Sequence, residues 1–178
     1  CPYTFPMNNY RAAFILPFLL ALSMAAASSA GAAEGETRKS LGGRLGLGFT
    51  NQVATTADGT IPALSAKYYT SNSSALSLAT GFDTRNGGST LALGLKYFQN
   101  VFRESNLLFY FGGGAAYVNR SGSKLQGSLF LGAEFFLSQL PSLGLSFEAG
   151  IRGDSTTGSF AIRTTGDSFL TAGMHFYF

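Results

Sequence analysis

The chain has 178 residues, with twelve Lys or Arg against nine Asp or Glu, one His and one Cys, and a formal net charge of +3. Only 12% of its residues are charged, while Gly (23) and Phe (17) are abundant and Trp is absent; an ordinary soluble domain carries roughly 25% charged residues. So weak and scattered a basic excess excludes a nucleic-acid-binding reading, the length allows one domain once a leader is set aside, and a soluble β-sandwich would need far more charge on its outer face.

Residues 1–6 read as upstream sequence and residues 7–33 as a cleavable secretory signal peptide. Met7 is the expected start and Arg11 the positive charge that precedes an apolar run from Ala12 to Ala27, broken only by Pro17 and Ser23. Ser28-Ser29-Ala30-Gly31-Ala32-Ala33 then supplies the small residues that cleavage needs. An apolar run of ~16 residues is short for a helical span of ~20, which argues against a retained anchor. Cys1 precedes this segment instead of following it, so it does not fit a lipidated N-terminus. Cleavage would remove Cys1 and Arg11, leaving no thiol for a disulfide or a metal and eleven basic against nine acidic residues, a net +2.

Residues 34–42 are polar and of mixed charge, a linker into the domain at 43–178. There the pattern alternates with period two, the signature of strands with two different environments. The first strand, near Gly43 to Asn51, sets Leu45, Leu47 and Phe49 against Arg44, Gly46 and Gly48, and a loop from Val53 to Thr60 follows. The second runs from Pro62 to Thr70, and the third from Ser74 to Asp83, closed by the turn residues Arg85-Asn86-Gly87-Gly88. The fourth sets Leu91, Leu93, Leu95 and Tyr97 against Ala92, Gly94, Lys96 and Phe98, with a turn expected over Asn100 to Ser105. The fifth carries Leu107 to Tyr117 and the sixth Leu125 to Phe135, after which Pro141 marks a tight turn. The seventh runs from Leu143 to Arg152, a long connection follows from Gly153 to Asp167, and the eighth runs from Leu170 to Phe178. Phe160 to Arg163 keeps the register of the last strand, so that hairpin is expected to project. None of the Leu/Phe faces contains a charge.

One element recurs four times: Ala66-Lys67-Tyr68-Tyr69, Leu95-Lys96-Tyr97-Phe98, Ala133-Glu134-Phe135-Phe136 and Met174-His175-Phe176-Tyr177. Each is an ionisable residue followed by an aromatic pair, and a turn or the chain end follows. Four strands that end alike run the same way, with a return strand between each, which predicts eight antiparallel strands and an aromatic rim. Residue size says which face is inside. The small Gly, Ser and Ala face suits the crowded interior of an eight-stranded barrel, whereas all the leucines and phenylalanines would overfill it. The predicted fold is all-β: an eight-stranded, up-and-down, antiparallel transmembrane barrel.

In that fold Arg44, Lys67, Lys96, Glu134, Glu148, Arg152 and His175 face the lumen. Buried charges must be paired to be tolerated, so we expect a lumen charge network in which Lys67, Lys96, Arg44 or Arg152 bridge Glu134 and Glu148. The outward aromatics Tyr68, Tyr97, Phe135, Phe176 and Phe178 form an interface girdle. No catalytic, cofactor-binding or metal residues are expected. Two carboxylates among cations suit counter-ions better than an acid/base pair, and the only histidine faces inward at the wrong end for a lipid-modifying hydrolase. Gly112-Gly113-Gly114 has no following Lys or helix and reads as close strand packing.

The signal peptide, the eight alternating runs, the aromatic pairs and the terminal His175-Phe176-Tyr177-Phe178 together resemble the small outer-membrane barrels of the OmpA/OmpX type. The resemblance covers Gly43 to Phe178, although the loops here are short. It implies an outer-membrane location in a Gram-negative-type cell, lipid as surroundings, and a last strand read by the barrel-assembly machinery through His175, Phe176, Tyr177 and Phe178. The expected function is non-enzymatic, a compact envelope protein with a charge-plugged lumen. A narrow pore and a surface interaction protein acting through its loops are the alternatives. The lack of a flat polar outer patch favours a monomer.

Overall fold

The computed structural model describes residues 40–56, 59–85, 88–120, 122–156, 159–164 and 171–178. The expectations for the leader, for most of the 34–42 linker and for the Asn86-Gly87 turn lie outside the described residues. Among the described residues the regular elements are all strands: β1 (Leu45–Thr50), β2 (Thr55–Thr56), β3 (Gly59–Thr60), β4 (Ala63–Tyr69), β5 (Ser74–Arg85), β6 (Gly88–Arg103), β7 (Leu107–Asn119), β8 (Ser123–Leu137), β9 (Leu140–Thr156), β10 (Ser159–Thr164) and β11 (Thr171–Tyr177). Eight of them form one antiparallel ring in the order β1-β4-β5-β6-β7-β8-β9-β11, and β11 pairs back onto β1 to close it. The chain folds as an eight-stranded, up-and-down β-barrel.

Period-two alternation builds its wall. Along β4 every second side chain is buried, and along β6 the exposed Leu91, Leu93, Leu95 and Tyr97 interleave with the buried Ala92, Lys96 and Phe98. Exposure is highest on the outside: Leu131 is 69% exposed and Phe82 76%. The buried apolar residues lie within the ring, in one cluster at the end carrying the tight turns and another at the end carrying the longer connections.

The strands run further than hydrophobicity alone marked. β6 passes the expected turn at Asn100 and ends at Arg103, with a register shift between Asn100 and Phe102 that puts Val101 and Phe102 both outside. The turn shrinks to residues 104–106, closed by Glu104 N donating to Leu107 O at 2.8 Å. Pro141, expected in a turn, is the second residue of β9, a strand-start position where proline is tolerated. The connection expected from Gly153 to Asp167 is largely a ribbon, with β10 laddered onto the far half of β9. Backbone pairing needs no apolar side chains, so a ladder can outlast the hydrophobic pattern. At the front, β1 starts later than expected because Gly43 takes a left-handed turn (φ 84°), a conformation that costs glycine little.

Candidate functional site: the filled lumen

Residues two apart on a strand share a face. In each of the four repeated elements, the ionisable residue and the second aromatic therefore both enter the lumen, and the aromatic between them faces out. Tyr69, Phe98 and Tyr177 are buried inside and Phe136 partly so, while Tyr68, Tyr97, Phe135, Phe176 and Phe178 stand on the outer surface. The inner aromatics pack on one another, Tyr69 to Tyr177 at 5.6 Å between centroids and Phe98 edge-on to Tyr110 at 5.2 Å. Leu41, from the linker, caps this end. Its amide and that of Gly42 donate to Asn72 Oδ1 at 2.9 and 3.2 Å, so the turn after the first repeat fastens it.

Above the aromatic floor lie two ion pairs. Lys67 Nζ is 2.7 Å from Glu134 Oε2, and Glu134 is 0% exposed. Tyr69 donates its hydroxyl to the same oxygen at 2.6 Å and Tyr177 donates to Oε1 at 2.5 Å, so both carboxylate oxygens are occupied. Lys96 pairs with Glu148 Oε2, and Tyr110 reaches Glu148 Oε1 at 3.4 Å. Aromatic faces complete the ammonium shells: Lys67 stands 4.4 Å from the Phe98 centroid and Lys96 4.3 Å from that of Phe130. Such contacts are favourable where water is excluded.

The other expected members stand apart. His175 Nε2 is 2.7 Å from Ser65 Oγ, while its Nδ1 has no hydrogen-bond partner among the described residues. That is nucleophile-to-base distance, but no carboxylate orients the ring, and the cavity His175 lines has a volume of about 10 Å³. Such a space admits about one water. Arg44 lies over the Tyr177 ring at 5.8 Å and donates to Tyr177 O at 3.2 Å. Arg152 is buried on β9, opposite Ser128 of β8 and Arg163 of β10. Among the described residues, the two lysines do the bridging expected of a lysine or an arginine, and neither arginine bridges Glu134 or Glu148. Four residues of β-strand separate Arg152 from Glu148, about 13 Å of rise. Arg44 sits a rung nearer the tight turns, where its carbonyl accepts from Tyr69 N at 3.0 Å.

The sequence reading marks the first connection only as a loop, and its described residues do more than connect. Gln52, Val53, Ala54 and Ile61 turn into the barrel and are buried there against Ala63, Ala79, Ala92 and Ala116. Val53 sits over Gly94 so closely that a Cβ on residue 94 would collide with it. Gln52 Nε2 reaches Ser146 Oγ at 3.4 Å, and its backbone N donates to Thr50 Oγ1 at 3.0 Å. The signal was present but faint: three apolar residues in a short loop, facing a wall of alanine and glycine too small to fill the bore.

No protein-family model matches the chain, and no curated protein or solved structure is detectably similar to it. The lumen therefore has to be interpreted from its own chemistry. Three layers fill it: loop residues at one end, transverse ion pairs in the middle, and aromatics under Leu41 at the other.

Proposed function

We propose that the protein is an integral outer-membrane barrel with a non-enzymatic, structural role in the envelope, its lumen closed by the charge layer. The observation that carries this reading is the distribution of charge and apolar surface. Around the ring, Leu47, Leu78, Leu95, Leu131, Ile151 and Phe176 are all exposed, while Lys67, Lys96, Glu134 and Glu148 are turned inward. Soluble monomers rarely expose apolar patches beyond a few hundred Å², whereas a lipid-facing barrel exposes a continuous band. No helix among the described residues is long and apolar enough to cross a membrane; in this reading strands cross, and closure into a ring satisfies their backbone groups. The tight-turn end faces the periplasm, and the aromatic girdle sits at that interface.

Refolding the chain 34–178 into lipid vesicles and then recording in a planar bilayer tests the proposal. The expected result is a heat-modifiable, vesicle-bound barrel without discrete conductance steps. Failure to enter lipid would overturn the membrane assignment, and steady openings would favour the narrow pore.

A second reading rests on the β9–β10 ribbon, which reaches Thr156 on one strand and begins at Ser159 on the other. Its edges could add a partner's strand. Trimming residues 155–164 would then abolish binding to cells or partners without disturbing the barrel.

A further inference from the structure

Beyond the two ion pairs, toward the end with the longer connections, a further charged cluster belongs to neither of them. Arg152 of β9 stands directly opposite Arg163 of β10, and residues opposed in this way project on one face. That face is the lumen side, because the neighbouring Ile151 is outside. Arg152 is 2% exposed and the Arg163 side chain 53%, so the pair runs from the interior to the mouth. Asp154, two residues along β9 on the same face, accepts from Arg163 Nε at 3.1 Å through Oδ2. Its Oδ1 is buried without a hydrogen-bond partner, and so is Arg152 Nη1. Glu148, the other carboxylate on this face of β9, is taken by Lys96. Two guanidiniums against one carboxylate leave the cluster with a net positive charge. Like charges set opposite one another are destabilising, and a buried charged donor left unanswered costs more than a neutral one.

We propose that Arg152, Arg163 and Asp154 form a binding site for inorganic phosphate at the mouth of the lumen. Guanidinium forks match the geometry of phosphate oxygens, and the two arginines supply them from adjacent strands. The two unanswered atoms are of opposite kind: Arg152 Nη1 needs an acceptor, and Asp154 Oδ1 needs a donor. Hydrogen phosphate is both at once. Its oxygens accept from the arginines while its remaining P–OH donates to Asp154 Oδ1. Sulfate has no proton to give, so its oxygens would stand against the carboxylate, a repulsion that selects against it. The half-exposed Arg163 provides the approach from solvent. The site is on the inner face of the wall, which a free anion reaches without crossing the rim. This inference stands apart from the membrane assignment, because it concerns only the inside of the ring.

Calorimetric titration of the refolded protein in a detergent free of phospholipid tests the site. At about pH 8 orthophosphate keeps one proton, whereas methyl phosphate, like other monoesters with a second pKa near ~6, keeps none. The expected result is saturable binding of orthophosphate with a Kd below about 1 mM, and binding of methyl phosphate and sulfate weaker by about tenfold or more. Arg163→Gln is expected to weaken orthophosphate about tenfold, the worth of one charge-assisted bond. Asp154→Asn, whose amide donates, is expected to reverse the preference and bind sulfate at least as tightly as orthophosphate. Absence of saturable orthophosphate binding up to about 10 mM would overturn the proposal. Equal binding of sulfate and orthophosphate by the wild type would also overturn it, marking an unselective basic patch, as would an Arg163→Gln protein of unchanged affinity. Capture of phosphatidic-acid vesicles without orthophosphate binding would assign the arginines to a lipid surface instead. Should Asp154→Asn not refold, the wild-type anion series and the half-exposed Arg163 variant still decide the matter.

Discussion

Lys67 and Glu134 meet at 2.7 Å although β4 and β8 lie four places apart in a ring of eight strands. The pair therefore crosses the whole bore. Lys96 on β6 and Glu148 on β9 cross a shorter chord three places wide. Such struts tie opposite walls together, which neighbouring-strand pairs could not do, and they occupy the space through which a solute would pass.

Removing one end of a strut should be far worse than removing both. Glu134→Gln leaves Lys67 charged, buried and short of its counter-ion, a change expected to cost about 3–5 kcal/mol. The Lys67→Met/Glu134→Leu double variant should recover most of that loss. Urea unfolding of the lipid-refolded barrel measures both. A Glu134→Gln protein as stable as the wild type would remove the energetic role of the pair.

Tyr177 and Tyr68 separate inner from outer aromatics. Tyr177→Phe deletes only a hydroxyl that donates to Glu134 at 2.5 Å, and hydrogen bonds to charged groups contribute about 1.5–3 kcal/mol. Tyr68→Phe, on the outer face, should change unfolding by a few tenths of that.

On the outside, Leu131 is the position to charge. It is 69% exposed midway along β8, so Leu131→Arg should cost about 2–4 kcal/mol in a bilayer. In a water-facing barrel the same change would be neutral and would improve solubility. Equilibrium folding into vesicles against the Leu131→Ala control distinguishes the two.

The closing seam has its own weak point. Gly48 on β1 stands opposite His175 on β11, and a Cβ there would run into the Met174 carbonyl. Gly48→Ala should destabilise by about 1–3 kcal/mol through overpacking, seen as loss of the heat-modifiable band at lower urea. Gly88→Ala, where nothing lies within 4 Å, is the control.

Much of this molecule was legible in the chain itself. Period-two alternation through Leu91 to Phe98 sorts side chains between two faces, because a strand turns each residue over with respect to the last. The fourfold ionisable–aromatic–aromatic element set the direction of alternate strands and brought Lys67, Lys96, Glu134 and His175 to one level. Residue size then put the small face inside. These are local properties, fixed by neighbours along one strand. Three things were not local. Which cation meets which carboxylate depends on chords across the ring, so Lys67 crosses to Glu134 while Arg44 and Arg152 stay out of reach. Where a ladder stops depends on the partner strand as well as on side chains, so β6 and β9 outran their hydrophobic pattern. Whether a loop lies outside or folds inward depends on the volume the wall leaves empty, and only the assembled ring shows that Gly94, Ala79 and Ala116 leave room for Val53. Sequence determined the sorting of faces; closure of the barrel decided what fills it.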